Sequence, residues 1–328
     1  MGGNLFQLGR LPRAEYLVLE AELRAYLDQR FGELYRIPRY YNTKPDFGDV
    51  DIILSDAAIE TDWPTLRDGI RADLGIEQWT SNKSVFSTVY RNFQVDFFVR
   101  PSRYFVSTYT FLCFNDLGNI LGRIFHRMSL KYGEQGLQYV YRRADGNYRR
   151  DLDISGDLDR ILRFIVLDPS PWHNGFETLE EMYRWVQTSP YFSVAPYTDP
   201  GRRTRQRSRQ RPTMRRLLEW IEANDIAQVC DYRDSYLPSV MAAFPEANLT
   251  AAIAAEDRLA DRVAVVRGRF NGQIVQALIP DLHGQRLGGF IRSLRNTEAD
   301  FEAWVYAHSP EAVQARILSH WSAFSAAE

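Results

Sequence analysis

The chain has 328 residues, 45% of them hydrophobic and 25% charged, enough for two or three packed units around a substantial core. A formal net charge of −2 excludes a protein that coats nucleic acid through bulk positive charge, so any phosphate-binding surface must be local. No apolar run reaches the roughly 18–20 residues of a membrane span, and the opening residues lack a secretory apolar core; Cys113 and Cys230 give neither a disulfide framework nor a metal-ligand spacing, and a reducing, cytoplasmic setting is expected.

Residues 13–31, "RAEYLVLEAELRAYLDQRF", carry apolar positions at helical spacing and predict an amphipathic helix. "ELYRIPRYY" then reads as strand-like, and "GDVDIILS" as a strand entered through a glycine turn. "DWPTLRDGIRADLG" has Asp62 as N-cap, proline just inside the helix and glycine just past it. Two aromatic and β-branched strands follow, "VFSTVYRN" and "FQVDFFV", closed by Pro101. This order argues for a small mixed α/β unit over about the first hundred residues. A helix is predicted from Asp116 to Gly133, a hairpin turning at Asp145-Gly146, and helices at "DLDRILRFIVL" and "TLEEMYRWVQ" with acidic first turns. After an arginine-rich segment the chain reads as mostly helical, with "DRVAVVRGRFNGQIVQALIP" ambiguous between strand and helix.

The stretch "KPDFGDVDIIL" sets a chemical problem, because an apolar strand begins among Asp46, Asp49 and Asp51. Residues two apart on a strand share a face, so Asp49 and Asp51 project together while Val50 turns into the core. Adjacent carboxylates repel unless protonated or bridged by a cation. Asp96 interrupts the strand "FQVDFFV" in the same manner, and if the two strands are neighbours the three acids converge. All-oxygen ligands suit Mg²⁺, or Mn²⁺, and such a cluster can hold two ions about 3.5–4 Å apart that activate a hydroxyl and stabilise a leaving phosphate oxygen. The plainer alternative is a solvated D-x-D at the mouth of a strand. The five histidines are scattered, and no zinc site is indicated.

"GDVDIIL", followed about forty residues later by "QVDFFV", resembles the nucleotidyltransferases of the DNA polymerase β superfamily. Downstream, "TFLCFNDLGNILGRIFHRMSLKYGEQGLQYVYRR" is similar to the stretch that follows the third aspartate in family X DNA polymerases; the resemblance covers residues 33 to 150. It implies that Asp49 and Asp51 ligate both ions, and that Asp96 ligates the catalytic ion and helps take the proton from a 3′-hydroxyl. It further implies that Asp116 lies over the nucleotide base, that Asn119 reaches the base edge and that Arg123 tracks the templating side. The alternative for these three is the polar face of an ordinary amphipathic helix. The chain departs from the family where a Gly-Ser opens the triphosphate site: Pro38-Arg39 stand there instead. Arg39, Lys44, Asn42, Thr43 and the Gly48 amide are the candidate substitutes. "CFN" at 113–115 replaces the family's "TGS", which leaves sugar preference open, and the lyase and helix-hairpin-helix elements of repair polymerases are expected to be absent.

Further along, "PGRRTRQRSRQRPTMRR" contains no acid and reads either as a solvated linker or as a phosphate-tracking arm through Arg202, Arg203, Arg205, Arg207, Arg209 and Arg211. "RFNGQIVQALIPDLHGQRLGGFIRSLR" bears a weak similarity to CCA-adding enzymes and poly(A) polymerases, with a helix starting at His283-Gly284. The aromatics Trp172, Phe176, Tyr183 and Trp185 read as core. The expected architecture is α+β: a nucleotidyltransferase palm (1–110) whose small mixed sheet is flanked by helices, a helical and hairpin thumb-like region (111–199), a basic linker or arm (200–216) and a mostly helical C-terminal domain (217–328). The expected activity is transfer of nucleoside monophosphates from (d)NTPs to a nucleic-acid 3′-hydroxyl with release of pyrophosphate, DNA before RNA, as in a family X polymerase. Alternatives are an RNA or tRNA 3′-end nucleotidyltransferase, a toxin or defence enzyme that modifies protein or makes a signalling nucleotide, and a palm remnant that only binds nucleic acid.

Overall fold

The computed structural model describes residues 5–82, 85–143, 148–198, 211–226, 232–233 and 235–326. The chain divides into two compact units, one of residues 1–140 and 151–249, the other of residues 141–150 and 250–328. Cys113 is buried and free; Cys230, the Asp145-Gly146 turn and Arg202, Arg203, Arg205, Arg207 and Arg209 lie outside the described residues.

The first unit is built on a five-stranded mixed sheet of order β2-β4-β7-β6-β5. Its strands are β2 (Tyr35–Arg36), β4 (Asp49–Ser55), β5 (Trp79–Asn82), β6 (Val85–Tyr90) and β7 (Phe93–Arg100). A two-residue ladder joins β1 (Leu11–Pro12) to β3 (Asp46–Phe47) beside it. All pairs in the large sheet are antiparallel except β4 and β7, which run parallel. A parallel pair needs a long crossover. Residues 56–92 supply it, and carry α2 (Trp63–Leu74) and the β5–β6 hairpin.

Alternation decides which face is core. Val50, Ile52 and Leu54 of β4 and Phe93, Val95 and Phe97 of β7 all point to one side. There they meet the stripe Tyr16, Leu19, Leu23, Leu27 and Phe31 of α1 (Arg13–Phe31), and Ile70 of α2. As the sequence predicts, Asp62 caps α2, its side chain accepting from the Thr65 amide at 2.7 Å, and Gly75 closes the helix in the left-handed region. On the opposite face α3 (Ser102–Leu112) packs against β4 and β7, and the Ser55 and Ser102 hydroxyls meet at 3.0 Å.

The structure corrects several sequence expectations. "ELYRIPRYY" contributes only Tyr35–Arg36 to the sheet, after a short 3-10 turn at Gly32–Leu34. The helix expected from Asp116 to Gly133 is α4 (Leu117–His126) alone, followed by β8 (Leu130–Gly133). Ser129, at φ 60°, breaks the helix, and β8 pairs with β9 (Gly136–Arg142), itself followed by β10 (Arg149–Ser155). The segment read as an arm is helical from Pro212, the start of Pro212–Ala223. "DRVAVVRGRFNGQIVQALIP" resolves as helix: it falls within Leu249–Arg269 and Gly272–Leu278.

The second unit is helical apart from the hairpin tip. Tyr141, Arg143 and Tyr148 bond to Asp257, Asp261 and Glu256 of helix Leu249–Arg269, and a separate core forms around Phe270, Val275, Phe290, Val305 and Ile317. Among the described residues no helix is long and apolar enough to cross a membrane.

Leu27 is fully buried between α1 and the sheet. Leu27→Ala is expected to destabilise the protein by about 2–5 kcal/mol, read as a lower urea midpoint with an unchanged m-value.

Candidate metal centre

The face of β4 that turns away from the core presents Asp49 and Asp51, and the same face of β7 presents Gln94 and Asp96. The parallel register sets Asp49 against Gln94 and Asp51 against Asp96. Carboxylate oxygens of Asp49, Asp51 and Asp96 all lie within 4.8 Å of one another. The convergence predicted from two strand patterns is therefore present. Asp46 is not part of it: its carboxylate pairs with Arg10 at 2.7 Å.

Asp96 is buried, at 7% exposure. One of its oxygens, Oδ2, accepts from Gln94 Nε2 at 2.9 Å, and Gln94 Oε1 in turn accepts from the Leu5 amide at 3.1 Å. The other, Oδ1, is buried with no hydrogen-bond partner among the described residues. Burial pushes the Asp96 carboxyl above the ordinary carboxylate range, against the hydrogen bonds of Ser87 and Gln94. Asp51 is pushed well above that range by burial first, then by the charges of Asp49 and Asp96. An unpaired buried oxygen within a group of mutually repelling carboxylates fits a site that could hold a cation. The donors are all oxygens, which fits a hard divalent ion such as Mg²⁺ or Mn²⁺.

The turn leading into β4 is held rigidly. Leu11 pairs with Phe47 across the short ladder, and the Arg13 amide donates to Pro45 O at 2.9 Å. Phe47 stacks on Tyr16 with centroids 3.6 Å apart and meets Tyr40 edge-on at 4.7 Å. Gly48, buried, follows directly.

No family model and no curated protein matches the chain. Among solved structures it is similar to polymerase beta of Leishmania infantum in a ternary P/T complex, at 18% identity and a TM-score of 0.32, over 42% of this chain and 60% of that one. The same enzyme in a ternary gap complex gives 18% identity and a TM-score of 0.31, over 42% of this chain and 53% of that one. The chain thus matches a little over half the length of these structures. The acidic cluster stands on its own geometry.

The other candidate residues are placed as follows. Lys44 lies within electrostatic reach of Asp49 and Asp51; burial pulls its ammonium down to about 8, which those acids oppose. The Arg39 guanidinium donates to the carbonyls of Trp172 and His173 at 3.1 and 2.9 Å and lies over the rings of Phe114 and Trp172. It is engaged in packing. Asn42 donates through its amide to Phe176 O at 2.9 Å and through Nδ2 to Glu177 Oε2 at 2.9 Å, and Thr43 donates through its amide and hydroxyl to Glu177 O at 3.0 and 2.7 Å. Asp116 pairs with Arg211 at 2.5 Å and accepts from Asn119 at 3.2 Å. Arg123 donates to Pro196 O at 3.0 Å and lies over Tyr197. Of the expected arm, Arg211 alone among the named arginines is described, and it reaches this helix end.

Gln94, which holds Asp96 Oδ2, and the bond from Asn115 Nδ2 to Thr213 Oγ1 at 3.4 Å are not anticipated from sequence. Gln94 has a readable signal, since it stands two residues before Asp96 and so shares its face. The Asn115–Thr213 bond joins distant segments.

Because Asp51 and Asp96 keep protons more readily folded than unfolded, the metal-free protein is expected to lose stability as pH rises from the ordinary carboxylate range through their raised values. Asp51→Asn is expected to stabilise the metal-free protein at neutral pH by about 1 kcal/mol, or roughly 2–4 °C in Tm. Mg²⁺ or Mn²⁺ is expected to raise the Tm of the wild type, reversibly with EDTA, and to leave the variant unmoved. Scanning calorimetry across pH, with and without metal, checks all three.

Proposed function

We propose that the protein is a divalent-metal-dependent nucleotidyltransferase that moves a nucleoside monophosphate from a (d)NTP to a nucleic-acid 3′-hydroxyl and releases pyrophosphate, as a DNA polymerase of family X character. The observation that carries this reading is the meeting of Asp49, Asp51 and Asp96, with one buried carboxylate oxygen left unpartnered among the described residues. The sequence resemblance around the two acidic strands supports it independently.

Asp49, Asp51 and Asp96 would hold the ions. When bound, Mg²⁺ or Mn²⁺ supplies charge neutralisation at the phosphates and makes a bound hydroxyl easier to ionise. The rest falls to the chain itself. Asp96, its Oδ2 fixed by Gln94, keeps Oδ1 available to take the proton of the attacking 3′-hydroxyl. The hydroxyl oxygen bonds to the α-phosphorus as the bond to the bridging oxygen breaks, and pyrophosphate leaves with that electron pair. Lys44 brings positive charge to the phosphate side. Rigid support from β1, β3 and Phe47 keeps the first two carboxylates aligned, so that little reorganisation is needed during reaction. Asp116, Asn119 and Arg123 would have to exchange their present partners for a nucleotide to use them.

The test is incorporation of labelled dNTP or NTP with Mg²⁺ or Mn²⁺ on primed DNA, on RNA and without nucleic acid. Wild type is expected to extend primed DNA, and Asp96→Asn to lower the rate by about 10³-fold, the scale of removing one preorganised electrostatic element. A label found instead on protein or in a small soluble product would reassign the acceptor. No transfer under any condition, or an Asp96→Asn enzyme as fast as wild type, would defeat the reading.

A further inference from the structure

Among the described residues, Lys44 is an ammonium with a single hydrogen-bond acceptor. It donates to Asn115 Oδ1 at 3.3 Å and sits 4.2 Å from the centroid of the Phe47 ring. Among the described residues it forms no ion pair, although Asp49 and Asp51 are its electrostatic neighbours. An ammonium carries three N–H donors, and one amide oxygen satisfies one of them. Half-buried and underused beside an acidic cluster, it is placed for an anionic group supplied from outside the chain.

Asn115 is held for this contact by unusual means. Phe114 and Asn115 are consecutive residues in the left-handed region, at φ 58° and 61°. That conformation is unfavourable for a bulky residue such as phenylalanine. Packing enforces it: Phe114 is fully buried, edge-on to Phe176 at 4.9 Å, and its amide donates to Arg39 O at 2.6 Å. Asn115 Nδ2 donates to Thr213 Oγ1 at 3.4 Å. Thr213 is itself buried, and its carbonyl accepts from the Tyr183 hydroxyl at 2.8 Å. An acceptor at Thr213 draws the NH₂ end of the amide toward itself and so turns Oδ1 toward Lys44. With that acceptor gone, the amide is free to present its donor end to the ammonium and repel it.

We propose that Asn115 and Thr213 are positioning residues that aim the Lys44 ammonium at the β- and γ-phosphates of the bound triphosphate. This rests on the nucleotidyltransferase reading. It gives the chain a phosphate-recognition device at the place where the family's Gly-Ser is missing, and it draws helix Pro212–Ala223 into the nucleotide site.

The experiment is calorimetric binding of a non-hydrolysable α,β-imido dNTP, and of the matching monophosphate, in Mg²⁺. Asn115→Gly removes the side chain and keeps the left-handed backbone accessible; Thr213→Val removes the acceptor at nearly constant volume. Lys44→Ala is expected to weaken triphosphate binding by about 10–100-fold, the scale of a charge-assisted hydrogen bond. Asn115→Gly and Thr213→Val should each weaken it by about 3–10-fold, yet Asn115→Gly should cost less than about twofold once Lys44 is alanine, because the two act as one unit. Monophosphate affinity should hold in every variant whose thermal unfolding matches wild type. Additive losses in the Lys44/Asn115 cycle, or equal losses for monophosphate, would overturn the positioning role while leaving the nucleotidyltransferase reading intact. Absence of triphosphate binding to the wild type would overturn that reading itself, and the positioning role with it.

Discussion

Three carboxylates held within 4.8 Å of one another repel, and the first unit of this protein is arranged so that they cannot move apart. Two of them come from one strand and the third from its parallel neighbour, with Asp51 and Asp96 directly in register. The opposite face of the same strands is packed with Val50, Ile52, Val95 and Phe97. The strain of like charge is therefore opposed by the hydrophobic core itself, since separating the acids means separating the strands. Such an arrangement is stable with protons or cations between the oxygens and uncomfortable without them.

Around this centre the other charges are sorted with care. Asp46 is paired with Arg10, and Asp116 with Arg211. Arg39 is engaged with backbone carbonyls and aromatic rings. Lys44 forms no ion pair among the described residues and is oriented by an amide and an aromatic face. Among the described residues, one carboxylate oxygen of Asp96 lacks a partner and the Lys44 ammonium has Asn115 Oδ1 as its acceptor, two groups of opposite sign in one site.

The acidic centre was legible in the sequence because strand geometry has a period of two: "DVD" and "QVD" leave no choice about which residues share a face once the strands are placed. Capped helices such as Trp63–Leu74 were legible for a similar reason, as their boundaries are written in Asp62, Pro64 and Gly75. What was not legible came from tertiary context. "SRYFVSTYTFL" is rich in β-branched and aromatic residues, yet folds as α3 because it starts from Pro101 and packs against β4 and β7. The α4 helix ends early because Ser129 turns left-handed and Leu130–Gly133 finds a strand partner in β9. Likewise, Arg39, Asn42 and Thr43 offer donors on paper, but only the structure says which acceptors take them. The Asn115–Thr213 link joins residues 98 positions apart, a pairing with no local signature.

The register of β4 against β7 also bears on how such a chain can diverge. The excursion from Asp56 to Asn92 can change length in the loops on either side of α2 without disturbing the acids, but its strand β6 is bound to β7 with Ser87 opposite Asp96. The four residues from Phe93 to Asp96 have no such latitude. A single residue gained or lost there would rotate Asp96 into the oil of the core and bring an apolar neighbour out in its stead. Descendants of this sequence are thus free to vary in the loops of the crossover, and bound to count correctly along β6 and over the last few steps into β7.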